Sequence, residues 1–376
     1  MSIEVAEETT VPYALHRVGV VMEPDPTDPA QVEGVLNPGT GRGPDGKLYL
    51  LPRLVAAGNV SRIGLAGVRI TDGVPVGVER AGVVLAPDAG WERARNHGGV
   101  EDPRITWMPA LGLHLMTYVA YGPLGPRPAL ATSTDLVVWQ RLGPLHFEYR
   151  AELDTDLNLF PNKDVVYFPE SIPGPDGRPC FAALHRPMWD LDVVAPGIGV
   201  YLPAAVTDDR PGIWISYVPV DDVTGDLSRL THLRYHRPLA MPRYPFEALK
   251  IGAGPPPLRV PEGWLVIHHG VSGQLVAGVD HQPLVHYAAG AMILSADDPA
   301  VVLARRVNRC SVRKWTRSAA ASCRTSCFPP LSRRSTAGTS SSTGWRIRAS
   351  ASPHWIASED RHEGCRQEGC RQRLQG

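Results

Sequence analysis

The sequence predicts an all-β fold, and three features carry that expectation. Glycine and proline contribute 37 residues each to a chain of 376, a density of turn formers that suits many short strands and excludes a helix bundle. Short runs of β-branched and other apolar residues alternate with Gly, Pro and Asp turns throughout residues 1–306, and none continues at a helical period. The third feature is a loose repeat of strand, acidic turn and strand. With 43% hydrophobic residues the chain can build one large domain or two ordinary ones, so whole-chain disorder is excluded.

In chain order, strands are expected at Lys47–Leu54, Leu113–Tyr121, Val165–Phe168, Ile213–Val218 and Trp264–His268. The repeat falls at Ile63–Arg80, Ala129–Leu142, Ile213–Leu230 and Gly290–Arg305, with copies some 65 to 85 residues apart. Small antiparallel sheets that recur at such a period bury their faces against one another, as the blades of a β-propeller do. Five blades fit best, the fifth incomplete or disrupted. The alternative is a pair of irregular β-sandwiches.

That disruption is read from the end of the chain. Residues 1–306 hold 25 Lys and Arg against 34 Asp and Glu, a net charge of −9, whereas residues 307–376 hold 13 against 4, a net charge of +9. Five of the six cysteines (Cys310, Cys323, Cys327, Cys365 and Cys370) also fall in the second part. Neither Cys323-x3-Cys327 nor the tandem EGCRQ at 363–372 has the paired C-x2-C spacing of a zinc site. A basic arm for nucleic acid would interleave aromatics with its arginines, and this tail does not. Reading the same codons one frame over, with only the wobble base free, residues 322–330 permit Val-Pro-Asn-Val-Val-Phe-Pro-Thr. Residues 342–356 permit Tyr-Gly-Met-Ala-Asp-Ser-Arg-Ile-Gly-Val-Ala-Thr-Leu-Asp, two β-like segments around a turn. The expectation is therefore a β-propeller domain at 1–306 and an out-of-frame or disordered tail at 307–376, with the frame lost near Arg305–Val307.

No apolar run approaches the ~20 residues of a membrane span. MSIEVAEETTVPY shows no basic stretch followed by an apolar one. A soluble, cytoplasmic protein is expected, without nucleic-acid or membrane partners. Association of identical subunits is left open.

Chemistry concentrates in a few motifs. GGVEDPRIT (98–106) sets Glu101, Asp102 and Arg104 around Pro103, which is expected to hold Asp102 extended and aim its carboxylate into a cavity. A plain turn salt bridge between Asp102 and Arg104 is the other reading. Around it stand NPGTG (37–41), LLPR (50–53), NVSRIGLA (59–66), FPNKDVVYFPE (160–170), LHRP (184–187), EALKIGAGPPP (247–257) and GWLVIHHGV (263–271). This set, in this order, resembles the family 130 glycoside phosphorylases over most of residues 35–305. The shifted-frame strings resemble the last segments of the same family.

The resemblance implies a five-bladed propeller and inverting phosphorolysis of a β-mannoside oligosaccharide, with inorganic phosphate as co-substrate and α-mannose 1-phosphate as product. It implies no metal and no organic cofactor. Asp102 matches the family's catalytic acid, which passes its proton through a hydroxyl of the bound mannose. Phosphate-binding candidates are Arg186, Lys250, and His268 or His269; substrate-binding candidates, by motif position, are Asn37, Arg53, Arg104, Asn162, Lys163 and Asp164. Residue chemistry agrees. Phosphate is already an anionic nucleophile, so a phosphorylase needs an acid and a cationic cradle, where an inverting hydrolase also needs a base for water. Arginine grips phosphate oxygens in pairs and lysine adds a point charge. Tyr121, Trp189 and Tyr287 are plausible stacking residues outside this list. Residues 188–243 are longer than in compact relatives, and Pro and Gly at 195–199 and 203–212 suggest a loop over the pocket mouth.

Overall fold

The computed structural model describes residues 11–15, 18–94, 98–193, 197–204, 206–275, 284–306 and 331–333. A short β1 (Tyr13–Leu15) precedes the main body. The first sheet comprises β2 (Gly34–Arg42), β3 (Leu48–Ala56), β4 (Val60–Thr71) and β5 (Val74–Leu85). The second comprises β6 (Gly98–Met108), β7 (Leu113–Gly122), β8 (Gly125–Ser133) and β9 (Gln140–Pro144). After β10 (His146–Phe147), the third takes β11 (Asn162–Tyr167), β12 (Ile172–Pro173), β13 (Pro179–Pro187), β14 (Ile213–Pro219) and β15 (His232–Ala240). The fourth takes β16 (Lys250–Ala253), β17 (Leu258–Val260), β18 (Gly263–Gly273), β19 (Val285–Leu294) and β20 (Val302–Arg306).

Each sheet is an up-and-down antiparallel meander of four principal strands: β2-β3-β4-β5, β6-β7-β8-β9, β11-β13-β14-β15 and β16-β18-β19-β20. A two-residue parallel contact, Val60↔Gly98 and Ser61↔Gly99, joins the first sheet to the second. The protein is therefore mostly β, as expected. Three of the four repeats are the outer hairpins of their sheets, β4–β5, β8–β9 and β19–β20. The β4–β5 turn shows the local reason: Asp72 and Gly73 have φ of 50° and 75°, the two positive values that a tight hairpin turn requires. The copy at Ile213–Leu230 differs. After β14 its acidic residues open a helical turn, α1 (Val220–Val223), with Asp221 and Asp222 in the first turn, where carboxylates suit the helix dipole. The next strand starts only at His232. Within residues 188–243, 213–240 supply two strands of the third sheet, the first of them where a strand was expected.

Side chains alternate between two cores along each strand, as the period of two requires. On β13, Phe181 and Ala183 pack toward the second sheet with Trp189 and Trp214, while Cys180, Ala182 and Leu184 pack toward the fourth with Trp264 and Val266. On β18, Leu265 and Ile267 face the other way, against Val11, Tyr13 and Leu15. A further core, including Leu51, Ile63, Ile105 and Met116, lies between the first and second sheets. The sheets thus stack face on face in chain order.

Two sheets share a device at their rims. Glu92 and Glu247 each end a 3-10 turn and are fully buried. Glu92 accepts from Ala89 N, from Tyr118 on β7 at 2.8 Å and from Arg141 on β9 at 2.8 Å. Glu247 accepts from Tyr244 N and from Arg305 on β20 at 3.0 Å, and pairs with His268 on β18 at 2.8 Å. The carboxylate ties the sheet's second strand to its fourth. This use of Arg305 shows that sheet chemistry continues to the edge of the region where the tail begins. Beyond Arg306 the described residues are β21 (Leu331–Arg333), whose backbone pairs antiparallel with β1. The other features expected at 307–376 lie outside the described residues.

Candidate active site

The site is built on the first strands of the first three sheets. Each carries a bulge, and in each bulge a polar residue takes a left-handed conformation: Asn37 (φ 38°) on β2, Asp102 (φ 50°) on β6 and Asp164 (φ 58°) on β11. Asn and Asp tolerate this region better than other side chains, yet each such residue stores about 1–3 kcal/mol of strain, a cost found where function demands it. Asp102 corrects the expectation from Pro103: it is turned left-handed, not extended, and the bulge aims its carboxylate.

Asn37 donates Nδ2 to Asp102 Oδ1 at 2.8 Å, and Arg53 Nη1 reaches the same oxygen at 3.2 Å. Arg53 is further committed to Ser61 Oγ through Nε and to Glu101 Oε1 through Nη2, both at 2.8 Å. Lys163 Nζ lies 3.3 Å from the other oxygen of Glu101 and 5.8 Å from the ring centre of Tyr121. Burial would raise the Asp102 carboxyl, but Arg53, then Lys163, the Asn37 amide and Arg104 outweigh it and hold it below the usual carboxylate range.

Asp164 is the hub of the second half. Its Oδ1 takes Arg104 Nη2 at 2.7 Å, and its Oδ2 takes Arg186 Nε at 2.6 Å with His269 Nε2 at 3.5 Å. Burial opposes ionisation here too, yet Arg186, Arg104 and His269 hold the carboxyl well below its ordinary value. Arg104 also donates to the carbonyls of Ala253 and Gly254, both at 3.0 Å, and so joins three sheets. Gly252 permits this convergence, because a Cβ there would collide with Asp164 Oδ2 and with the His269 ring.

Lys250 stands beside this hub at the start of β16. Burial, then repulsion from Arg186 and Lys163 against the pull of Asp164, pushes its ammonium down to about 7. Burial pushes His269 down to about 4, so its imidazole is neutral at neutral pH. Arg186 is buried, and its Nη1 has no hydrogen-bond partner among the described residues. Cations packed until they repel one another, with a buried donor to spare, form a place for an anion.

Of the expected residues, Asn37, Arg53, Asp102, Arg104, Lys163, Asp164, Arg186, Lys250 and His269 come together. Two do not. His268, one residue from His269, must face the opposite side of β18, where it is fully buried against Glu247 and Phe246; it belongs to the rim device. Asn162 is also buried, its amide set against His185 Nδ1 at 3.0 Å in a chain that runs through Ser216 to His236. Two residues, Glu101 and Gly252, were missed, and Tyr287 was named for stacking but kept outside the expected set. Glu101 was visible in its motif but read as context. Tyr287, 57% exposed, places its ring 6.0 Å from His269. Gly252 is informative only once its neighbours across the sheets are known.

An all-β scaffold that gathers an amide-tethered carboxylate and a buried set of cations has the makings of a carbohydrate-active enzyme that handles an anion. Comparison with known proteins agrees. Residues 55–309 match the family model described as beta-1,4-mannooligosaccharide phosphorylase, and the chain belongs to this family, glycoside hydrolase family 130. A 1,2-beta-oligomannan phosphorylase of Thermoanaerobacter sp. (strain X514) is 29% identical over 212 residues, 55% of this chain and 51% of that one. A beta-1,2-mannobiose phosphorylase of Listeria innocua is 27% identical over 213 residues, 55% of this chain and 43% of that one. The chain spans about half the length of these curated relatives. Its fold is similar to that of the Listeria innocua beta-1,2-mannobiose phosphorylase solved with beta-1,2-mannobiose, with a TM-score of 0.53, 19% identity and 85% of each chain covered. A putative glycoside hydrolase from Bacteroides ovatus gives a TM-score of 0.53 at 20% identity, covering 86% of this chain and 84% of that one.

Proposed function

We propose that this chain is an inverting β-mannoside phosphorylase, with the sheets arranged as blades of a five-bladed propeller around the site. Phosphate, gripped by Arg186 and Lys250 with His269 beside them, attacks the anomeric carbon from the face opposite the leaving sugar. Asp102 supplies the proton that the leaving oxygen needs. The glycosidic C–O bond breaks as the bond to phosphate oxygen forms, giving α-mannose 1-phosphate and a shortened sugar. Asn37 and Arg53 hold the carboxylate toward the sugar. A cytoplasmic setting, where phosphate is at hand, suits this chemistry.

One observation carries the choice of phosphorolysis over hydrolysis. Among the described residues of the cluster, the other two carboxylates are already engaged: Asp164 by Arg104 and Arg186, and Glu101 by Arg53 and Lys163. Neither is left to activate water, as an inverting hydrolase would require. The test is to incubate the protein, restored to the shifted frame after Arg306, with β-mannobiose and follow the sugars by proton NMR. Appearance of α-mannose 1-phosphate only when phosphate is present supports the proposal; free mannose released without phosphate would move the chain to the hydrolases.

The domain reading belongs to the same proposal. The first 306 residues form the catalytic domain, and the tail has left its ancestral frame, so the fifth blade and the Asp of the shifted Tyr-Gly-Met-Ala-Asp string are lost from the chain as written. One fact supports this: the family match stops at residue 309. A clean, uninterrupted frame on resequencing, together with a native mass for the written chain, would contradict it.

A further inference from the structure

Glu101 and Asp102 are consecutive, and the bulge in β6 brings both to one cation. Arg53 gives Nη2 to Glu101 at 2.8 Å and Nη1 to Asp102 at 3.2 Å. The other oxygen of Glu101 holds Lys163 at 3.3 Å, and the Glu101 side chain is only 5% exposed. The two cations that act most strongly on Asp102 are thus the two that Glu101 engages. The groups acting on Asp102 are Asn37 from β2, Arg53 from β3, Arg104 from its own strand, Lys163 from β11 and Tyr287 from β19. Among them no acid stands close enough to offset the cations. Asp164 engages Arg104, and Glu101, from the adjacent position, engages the other two, Arg53 and Lys163.

We propose that Glu101 is a positioning residue that sets the acidity of Asp102 by sharing Arg53 and Lys163 with it. The inference rests on reading Asp102 as the proton donor. With Glu101 present, the four side chains Glu101, Asp102, Arg53 and Lys163 are neutral overall, and Asp102 can take up its proton when phosphate offsets the remaining cations. Without Glu101 the group carries a net positive charge that falls on Asp102 alone, and the acid is held ionised. An ordinary structural ion pair would hold Arg53 in place but would not require that its guanidinium be divided between two neighbouring carboxylates.

The experiment is a titration of the Asp102 carboxyl in the full chain by 13C NMR of carboxyl-labelled aspartate, with Asp102→Asn to assign the signal. In Glu101→Gln the pKa of Asp102 is expected to fall by about one unit, the low end of what an uncompensated neighbouring charge does. In Lys163→Met it is expected to rise by about as much, and Glu101→Asp, which keeps the charge, should stay close to the parent. The reactive acid is the protonated form, so turnover is present below this pKa and lost above it. The high-pH limb of kcat/KM, read on the chain restored to the shifted frame, therefore moves down in Glu101→Gln and up in Lys163→Met. Opposite shifts in two variants cannot come from general loss of structure, and the Lys163 and Asp variants decide the matter should Glu101→Gln fail to fold. An unchanged or raised Asp102 pKa in folded Glu101→Gln, or a lowered one in Lys163→Met, overturns the proposal. Full turnover in Asp102→Asn would instead overturn the reading of the acid, while the titration would still measure what Glu101 does.

Discussion

Asn37 donates its side-chain amide to Oδ1 of Asp102 at 2.8 Å across 65 positions of sequence, and both residues sit left-handed in bulges on the first strands of neighbouring sheets. The bond fixes the Asp102 carboxylate. Replacing the acid by Asp102→Asn keeps its shape and removes its proton. Turnover of the chain restored to the shifted frame should fall by roughly 10²–10⁴, the usual contribution of a positioned acid, with phosphate binding retained. Steady-state rates and a phosphate titration on the same preparation check both halves.

Anion binding should depend on the charge of Lys250. Its ammonium is pushed down to about 7, so it is charged below that pH and loses its charge as pH rises through it. Sulfate, whose own charge is fixed in this range, is the right probe. Its affinity should drop by about tenfold per pH unit above pH ~7, the slope of one coupled proton. In Lys250→Met sulfate should bind weakly at every pH, without that slope. A titration calorimetry series from pH 6 to 9 measures this.

Gly252 is required by what lies over it. In Gly252→Ala the new methyl would enter the space of Asp164 Oδ2 and the His269 ring, and the hub would have to open. The β16–β18 pairing itself is ordinary, so the fold should persist. Activity of the frame-restored chain should drop at least tenfold, because a displacement near 1 Å of groups that orient reactants costs on that order or more. Circular dichroism and rates separate the two effects.

Arg305→Leu tests whether sheet chemistry continues to that position. It leaves Glu247 fully buried with His268 and backbone amides but no guanidinium. Breaking a buried pair by removing one partner costs about 3–5 kcal/mol. Urea unfolding should show a loss of that size, and a loss under about 1 kcal/mol would mean that the rim device does not hold the fourth sheet.

The strands were legible because their code is local: β-branched runs bounded by Gly, Pro and Asp, with hairpin turns such as Asp72-Gly73. The second half of Ile213–Leu230 was not, since Asp221 and Asp222 read equally as a turn and as the first turn of a helix. The site was legible as a set of motifs, whereas the partners within it were not. Asp164 meets Arg104 from another sheet, and Arg104 meets carbonyls 149 and 150 positions away, distances over which sequence gives no geometry. His268 and His269 differ only in strand parity, which pairing decides. Asp102 departs from the extended backbone that Pro103 alone favours, and it does so where the β6–β7 register shifts, a feature of pairing that the local sequence does not carry.

The central claim is that phosphate is the nucleophile. Its most direct test is phosphate release from α-mannose 1-phosphate with a panel of acceptor sugars, run on the chain as written and on a version restored to the shifted frame after Arg306. Acceptor-dependent release by the restored chain is expected, with little or none by the chain as written. No release by either chain, with β-mannosides cleaved in the absence of phosphate, would contradict it.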